Sequence, residues 1–181
     1  MFKNMNITNG QFDILAFLST HPDEEWHVRE LARAADISAG SASQGLRTLA
    51  AQGLLSSTQK GKMIFYRLRT EKPVIRHFKV FLTLHALENV VTALKDRCDR
   101  IILFGSAADG TDGTGSDIDL LVITSEKDEV RDRLRKFKVI NDRPLNAVVV
   151  TPGELTRLSR SDKAFHDRAT TGIVLWRRAD G

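Results

Sequence analysis

One stretch of 24 residues carries the side chains best suited to chemistry. Ile101 to Thr124 reads IILFGSAADGTDGTGSDIDLLVIT, two apolar runs around a loop of Gly, Ala, Ser, Thr and Asp. Gly105-Ser106 stands at the front of the loop, and Asp117 and Asp119 stand at its back with Ile118 between them. Side chains alternate along a strand, so Asp117 and Asp119 are expected on one face and Ile118 on the other. Two carboxylates held side by side repel each other unless a cation lies between them, and Mg²⁺ takes oxygen ligands of this kind. A turn of small residues with a hydroxyl suits a phosphate approaching backbone N–H groups. The stretch therefore invites a metal and a phosphate together.

The elements that must position these groups follow from the flanking pattern. The runs IILF and LLVIT are short apolar strands. Ser125–Phe137 is a charged helix with Val130, Leu134 and Phe137 inward, and its basic residues lie on a solvated face interleaved with acids. Pro144–Thr151 is a third strand. Pro152-Gly153-Glu154 opens a helix to about Arg160, another covers roughly Asp162–Thr170, and Ile173–Trp176 is a last strand. The order β-loop-β-α-β-α-α-β gives a mixed α/β domain of about 85 residues, large enough to fold alone.

Gly105-Ser106, ten intervening residues and Asp117-Ile118-Asp119 resemble the GS-x10-DxD signature of minimal nucleotidyltransferases, in the superfamily of DNA polymerase beta. The resemblance implies that Gly105 and Ser106 hold the triphosphate of an NTP. It implies that Asp117 and Asp119 are catalytic and bind Mg²⁺, as a hydroxyl attacks the α-phosphorus and pyrophosphate leaves. Gly113 and Gly115 supply either loop flexibility or an ordinary turn. The sequence departs from the family at one point. Active members carry a third carboxylate on a neighbouring strand, and the polar residue of the corresponding strand here, Leu145–Val150, is Asn146. An amide oxygen can ligate a metal but brings no charge and accepts no proton at neutral pH. Asp142 or Glu154 could substitute, though both fall outside that strand.

The first part of the chain has a different character. Residues 1–80 hold 11 Lys/Arg against 7 Asp/Glu, and Ile37–Thr70 holds five basic residues (Arg47, Lys60, Lys62, Arg67, Arg69) and no acid. Such a face suits a polyanionic partner or an ordinary solvated surface. Helices are expected over Gln11–Ser19, Val28–Ala35 and from Ser38 or Ser41 to about Gln52, with Leu46, Leu49 and Ala50 inward and Gly53 as the stop. Two strands follow, Leu54–Thr58 and Met63–Arg69, joined by Gln59–Lys62. VRELARAADISAGSASQGLRTLAAQGLL followed by KGKMIFYRL resembles the winged helix-turn-helix of bacterial and archaeal transcription regulators. That resemblance implies double-stranded DNA as partner. Ser41, Ser43, Gln44 and Arg47 would lie on the recognition helix, and Lys60, Lys62 and Arg67, with Arg69, would meet phosphates from the wing. The alternative is a winged helix kept only for dimerisation or protein docking.

Pro73 opens an apolar-periodic run to about Lys95, expected as one helix linking two modules. His77 and His85 on it lack partners at ligand spacing and are expected to be packed or surface histidines. The fold class is thus α+β: a winged helix-turn-helix over 1–72, a linker helix over 73–97 and a nucleotidyltransferase-like domain over 98–181. Cys98 is the only cysteine, the first residues lack the apolar core of a signal peptide, and no apolar run nears the length of a membrane span, so the cytosol is expected. Two functions stay open, beside a third reading as a degenerate two-domain protein used only for assembly. One is Mg²⁺-dependent transfer of a nucleoside monophosphate to a protein or small-molecule hydroxyl. The other is a regulator that senses a nucleotide without turning it over. A homodimer is expected by analogy with winged helices that read palindromes.

Overall fold

A computed structural model describes residues 7–179; the ends of the expected modules, 1–6 and 180–181, lie outside the described residues. The chain forms two compact units with the boundary between Arg76 and His77.

The N-terminal unit holds α1 (Asn9–Thr20), β1 (Trp26–His27), α2 (Val28–Ala34), α3 (Ala39–Ala51), β2 (Leu55–Lys60) and β3 (Met63–Leu68). A capping box between Thr8 and Gln11 starts α1. Ser38 is the cap of α3, its hydroxyl accepting the Ser41 N–H at 3.1 Å. Leu46 and Leu49 are fully buried with Ile14, Leu15, Leu18 and Leu31, so the three helices share one core. The antiparallel sheet has the order β1-β3-β2. β1 was not expected from the sequence, because two residues are too few to show an alternation. The wing is tighter than expected: Lys60 pairs with Met63, which leaves only Gly61-Lys62 in the hairpin turn.

The expected single linking helix is two, α4 (Pro73–Ala86) and α5 (Glu88–Leu94), followed by a 3₁₀ turn over Lys95–Arg97. The break is at Leu87, whose N–H is shared between the carbonyls of Thr83 and Leu84. The change of direction lets Leu87, Val90 and Leu94, all fully buried, enter the C-terminal core. Part of the broad apolar stripe is therefore core, while Val74 and Phe81 remain exposed.

The C-terminal unit continues with β4 (Arg100–Phe104), α6 (Ser106–Asp109), β5 (Ile118–Ile123), α7 (Lys127–Leu134), β6 (Val139–Ile140), β7 (Arg143–Val150), α8 (Pro152–Ser161), α9 (Lys163–Thr170) and β8 (Ile173–Arg177). The strand order is β6-β7-β5-β4-β8, with β5 and β7 parallel and the other pairs antiparallel. Alternation sorts the core into two layers. Ile101, Leu103, Leu120 and Val122 pack with α5 and with Val130 of α7. Ile102, Phe104, Leu121, Ile123 and Val150 pack with α8 and α9 through Leu155, Leu158, Phe165 and Ala169. The short helix α6 lies where only loop was expected. The β6–β7 hairpin turns on Asn141 and Asp142, both at positive φ, the two-residue turn that matches strand twist. Cys98 is buried, and burial, aided by the Asp99 and Asp96 carboxylates, pushes its thiol up to about 11. Among the described residues no helix is long and apolar enough to cross a membrane.

The turn from α9 into β8 depends on Gly172, where a Cβ would overlap the Leu103 carbonyl oxygen on β4. That neighbour is backbone and cannot step aside. Gly172→Ala should cost about 2–3 kcal/mol. The urea midpoint of this unit, read through Trp176 in a Trp26→Phe background, should fall accordingly.

Candidate functional site

Side-chain parity carries the site to one end of the sheet. Asp119, Leu121 and Ile123 share a face of β5, and Asn146, Val148 and Val150 share the same face of parallel β7, where Asp119 and Asn146 are paired in register. Phe104, at the end of β4, pairs with Asp119 from the other side. The apolar part of this face is covered by α8 and α9. The polar part borders an open cleft of about 520 Å³, lined by Phe104, Gly105, Ser106, Asp109, Asp119, Asn146, Val148, Phe165 and Arg168. Ile118, 1% exposed, points into the opposite layer. Asp117 precedes β5, is exposed, and is not among the residues lining the cleft.

Gly105 has φ +71°, a conformation L side chains rarely adopt, and a Cβ there would lie 2.8 Å from Asp119 Oδ2. Backbone and carboxylate therefore meet at a spot that admits only glycine. The other oxygen of Asp119, Oδ1, accepts a hydrogen bond from the Asn146 side-chain NH₂ at 3.1 Å. Asn146 thus stands beside Asp119 as a donor. Neither sequence candidate for a replacement acid lines the cleft. Asp142 is spent in the β6–β7 turn. Glu154 caps α8 through the Thr151 N–H and is gripped by Lys127 at 2.7 and 2.8 Å; the lysine hydrogen bond first, then the Thr151 N–H, lowers its carboxyl to about 2.

Two buried charged residues and one half-buried arginine that the sequence pattern does not single out fix the loop ahead of β5. Lys79 on α4, Asp112 in the loop and Arg143 on β7 have side chains 2%, 5% and 13% exposed. The Asp112 carboxylate lies between the two cations, 3.3 Å from Lys79 Nζ and 3.3 Å from Arg143 Nη1. Lys79 also donates to the Asp112 carbonyl. Arg143 donates to the carbonyls of Ser116 (3.0 Å) and Asp117 (3.2 Å), and Ser116 Oγ accepts the Gly113 N–H at 2.9 Å. The loop is thereby held at Asp112 and again at Asp117, where β5 begins. The one cue in the sequence was a lysine inside an otherwise apolar helical run.

In the N-terminal unit, Ser43, Arg47 and Lys62 line one cleft of about 440 Å³ together with His27, Arg29 and Tyr66. Recognition helix and wing therefore face a common space. Ser41 and Gln44 are exposed on α3. Lys60 is paired with Glu25 and lies over the Phe65 ring, and Arg67 lies 3.8 Å from Asp23. Arg29 was not singled out because it sits on α2, outside the acid-free stretch.

Two family models match the chain. Residues 5–62 match the MarR family, and residues 87–169 match the nucleotidyltransferase domain. The chain thus carries a MarR-type match over its winged helix and a nucleotidyltransferase-domain match over its C-terminal unit. A curated relative from Methanocaldococcus jannaschii, named "Putative protein adenylyltransferase", is 33% identical over 66 residues, which is 36% of this chain. The chain spans 59% of that relative's length. Among solved structures, the adhesin competence repressor of Streptococcus pyogenes aligns at 23% identity over 50% of this chain and 69% of its own, with TM-score 0.37. A "putative nucleotidyltransferase" from Sulfolobus solfataricus aligns at 21% identity over 59% and 86%, with TM-score 0.36.

The nucleotidyltransferase domain should be sensitive to its buried charges. Asp112→Ala leaves Lys79 and Arg143 buried without their anion and should destabilise the unit by ~3 kcal/mol or more. Lys79→Met leaves Asp112 with Arg143 and should cost less, about 1–3 kcal/mol. Denaturant midpoints from Trp176 fluorescence should fall in that order.

Proposed function

We propose that the C-terminal unit binds Mg²⁺·NTP in the cleft at Gly105 and Asp119 and transfers the nucleoside monophosphate to a hydroxyl of a protein or small molecule. The observation that carries this reading is the glycine-only contact between the Gly105 turn and the Asp119 carboxylate, with Ser106 beside it in the same open cleft. Gly105 and Ser106 take the triphosphate through backbone N–H groups and the hydroxyl. The donor set fits a metal that arrives with its nucleotide. Asp119 and, through its amide oxygen, Asn146 offer hard oxygen donors in the cleft, and Asp117, just before β5 and outside the cleft lining, adds a nearby carboxylate; these are too few for an all-protein cage, and Mg²⁺ usually completes its shell with phosphates and water. When bound, the ion supplies charge stabilisation for the phosphates. In the transfer, the acceptor oxygen forms a bond to the α-phosphorus, the bond from that phosphorus to the bridging oxygen breaks, and pyrophosphate leaves. Asn146 cannot take the acceptor's proton, which is released to water. The relative named as a protein adenylyltransferase makes a protein acceptor the first candidate.

A second reading keeps nucleotide binding but not transfer, so that the domain acts as a sensor in a transcription regulator. The Asn146 NH₂ on Asp119, where a third carboxylate would otherwise stand, favours it. The N-terminal unit has the same role in both readings. It binds double-stranded DNA, as a homodimer, through the cleft lined by Ser43, Arg47 and Lys62, with Ser41, Gln44, Lys60 and Arg67 at its margins.

Incubation with α-labelled NTPs, Mg²⁺ and cell extract should label an acceptor and release pyrophosphate, and Asp119→Asn should abolish both the label and Mg²⁺·NTP binding. Tight binding by the wild type with no label under any condition would leave the sensor reading in its place. Retained Mg²⁺·NTP binding in the Asp117→Asn, Asp119→Asn double variant contradicts both.

For DNA, a mobility shift with the upstream region should give a salt-sensitive complex. Arg47→Ala and Lys62→Ala each remove one phosphate-binding cation, and each should flatten the plot of log K against log salt by about 0.9. Absence of any retarded complex at low salt, with or without NTP, removes DNA from the account.

A further inference from the structure

Among the described residues, one cation, Arg168, lines the cleft around Gly105. Its guanidinium makes no hydrogen bond or ion pair with any described residue, although Arg97, Arg133, Arg143 and Arg178 of the same unit are each paired with a carboxylate. Two acids, Asp109 and Asp119, line the same cleft, yet neither is bonded to Arg168. The backbone beneath it is well anchored. Arg168 lies in the last turn of α9, next to fully buried Ala169 and three residues after Phe165. Phe165 packs edge-on against Phe104, with ring centroids 5.8 Å apart, and Phe104 immediately precedes Gly105. The backbone that carries this exposed, unpaired guanidinium is thus tied, through Phe165 and Phe104, to the turn assigned to the triphosphate.

We propose that Arg168 binds the β- and γ-phosphates of the nucleotide and stabilises the departing pyrophosphate. This rests on the reading of the cleft as a nucleotide site. The planar, always-charged guanidinium matches a phosphate with two parallel N–H···O bonds, and such charge-assisted bonds are the stronger class. Pyrophosphate gains negative charge as the bond from the α-phosphorus to the bridging oxygen breaks. A cation on those phosphates therefore helps the leaving group more than the bound substrate. The step needs no proton from Arg168.

The test compares Mg²⁺·ATP and AMP binding by calorimetry for the full-length wild type, Arg168→Gln and Arg168→Lys, with circular dichroism as the check on folding. Arg168→Gln should weaken Mg²⁺·ATP binding by about tenfold to a hundredfold and leave AMP binding unchanged, and Arg168→Lys should recover part of the loss. Where transfer is detected, Arg168→Gln should lower kcat more than it raises KM for NTP. Equal loss for ATP and AMP would assign Arg168 to the base or sugar and overturn the proposal. Unchanged ATP affinity with a folded Arg168→Gln would overturn it as well. Failure of the wild type to bind ATP at all would instead overturn the nucleotide reading beneath it.

Discussion

The buried carboxylate of Asp112, held between Lys79 and Arg143, is the constraint on which the candidate site depends. A buried charge is tolerated only when it is compensated, so the two cations both depend on Asp112, while Asp112 can lose one of them and keep the other. Its consequence is geometric. Lys79 comes from α4 and Arg143 from β7, and both reach into the loop between α6 and β5. Arg143 also holds the Ser116 and Asp117 carbonyls, so the loop enters β5 in a defined register. A slip of one residue would send Ile118 toward the cleft and Asp119 into the core. The ion cluster and full burial of Ile118 thus specify the same register from opposite sides of the sheet.

The fold was legible wherever one residue pattern determined one element. Periodicity gave α1, α2 and α3, because their apolar residues build a single core, and the two apolar runs around the loop gave β4 and β5. What escaped was set by partners distant in sequence. β1 exists because Trp26 and His27 pair with Tyr66 and Phe65. The apolar run after Pro73 carries no local signal for its break at Leu87; the break is dictated by the sheet that receives Leu87, Val90 and Leu94. Helix propensity is a weak prior, and tertiary burial overrode it there.

The candidate site divides along the same line. Gly105, Ser106, Asp119 and Asn146 were visible from spacing, and they line one cleft. Asp117, expected beside Asp119, stands outside the strand and outside the cleft lining, because β5 begins only at Ile118. Lys79, Asp112 and Arg143 lie far apart in the chain, and their types read as ordinary surface charge until the fold buries them. Arg168 was hidden for the opposite reason. It belongs to a polar helix with many charges, and only its place in the cleft lining, without a partner, sets it apart.

Asn146 draws these strands together. Its register opposite Asp119 is that of a group able to share in whatever Asp119 binds, and its amide stabilises the carboxylate without adding negative charge. A third acid at this position would place like charges against Asp119 and make a cation necessary even before a nucleotide arrived. With the amide, Asp119 is satisfied on one oxygen by Asn146 and lies against the Gly105 turn with the other. The cleft can then keep its shape without a resident ion, and the cation that an NTP carries has fewer carboxylates to meet. On the proposed reading, such a site meets a metal–nucleotide complex with little charge of its own and offers no group for proton abstraction from an acceptor. In the proposed reaction, the rate of transfer would therefore depend on how well the acceptor oxygen is already prepared to lose its proton.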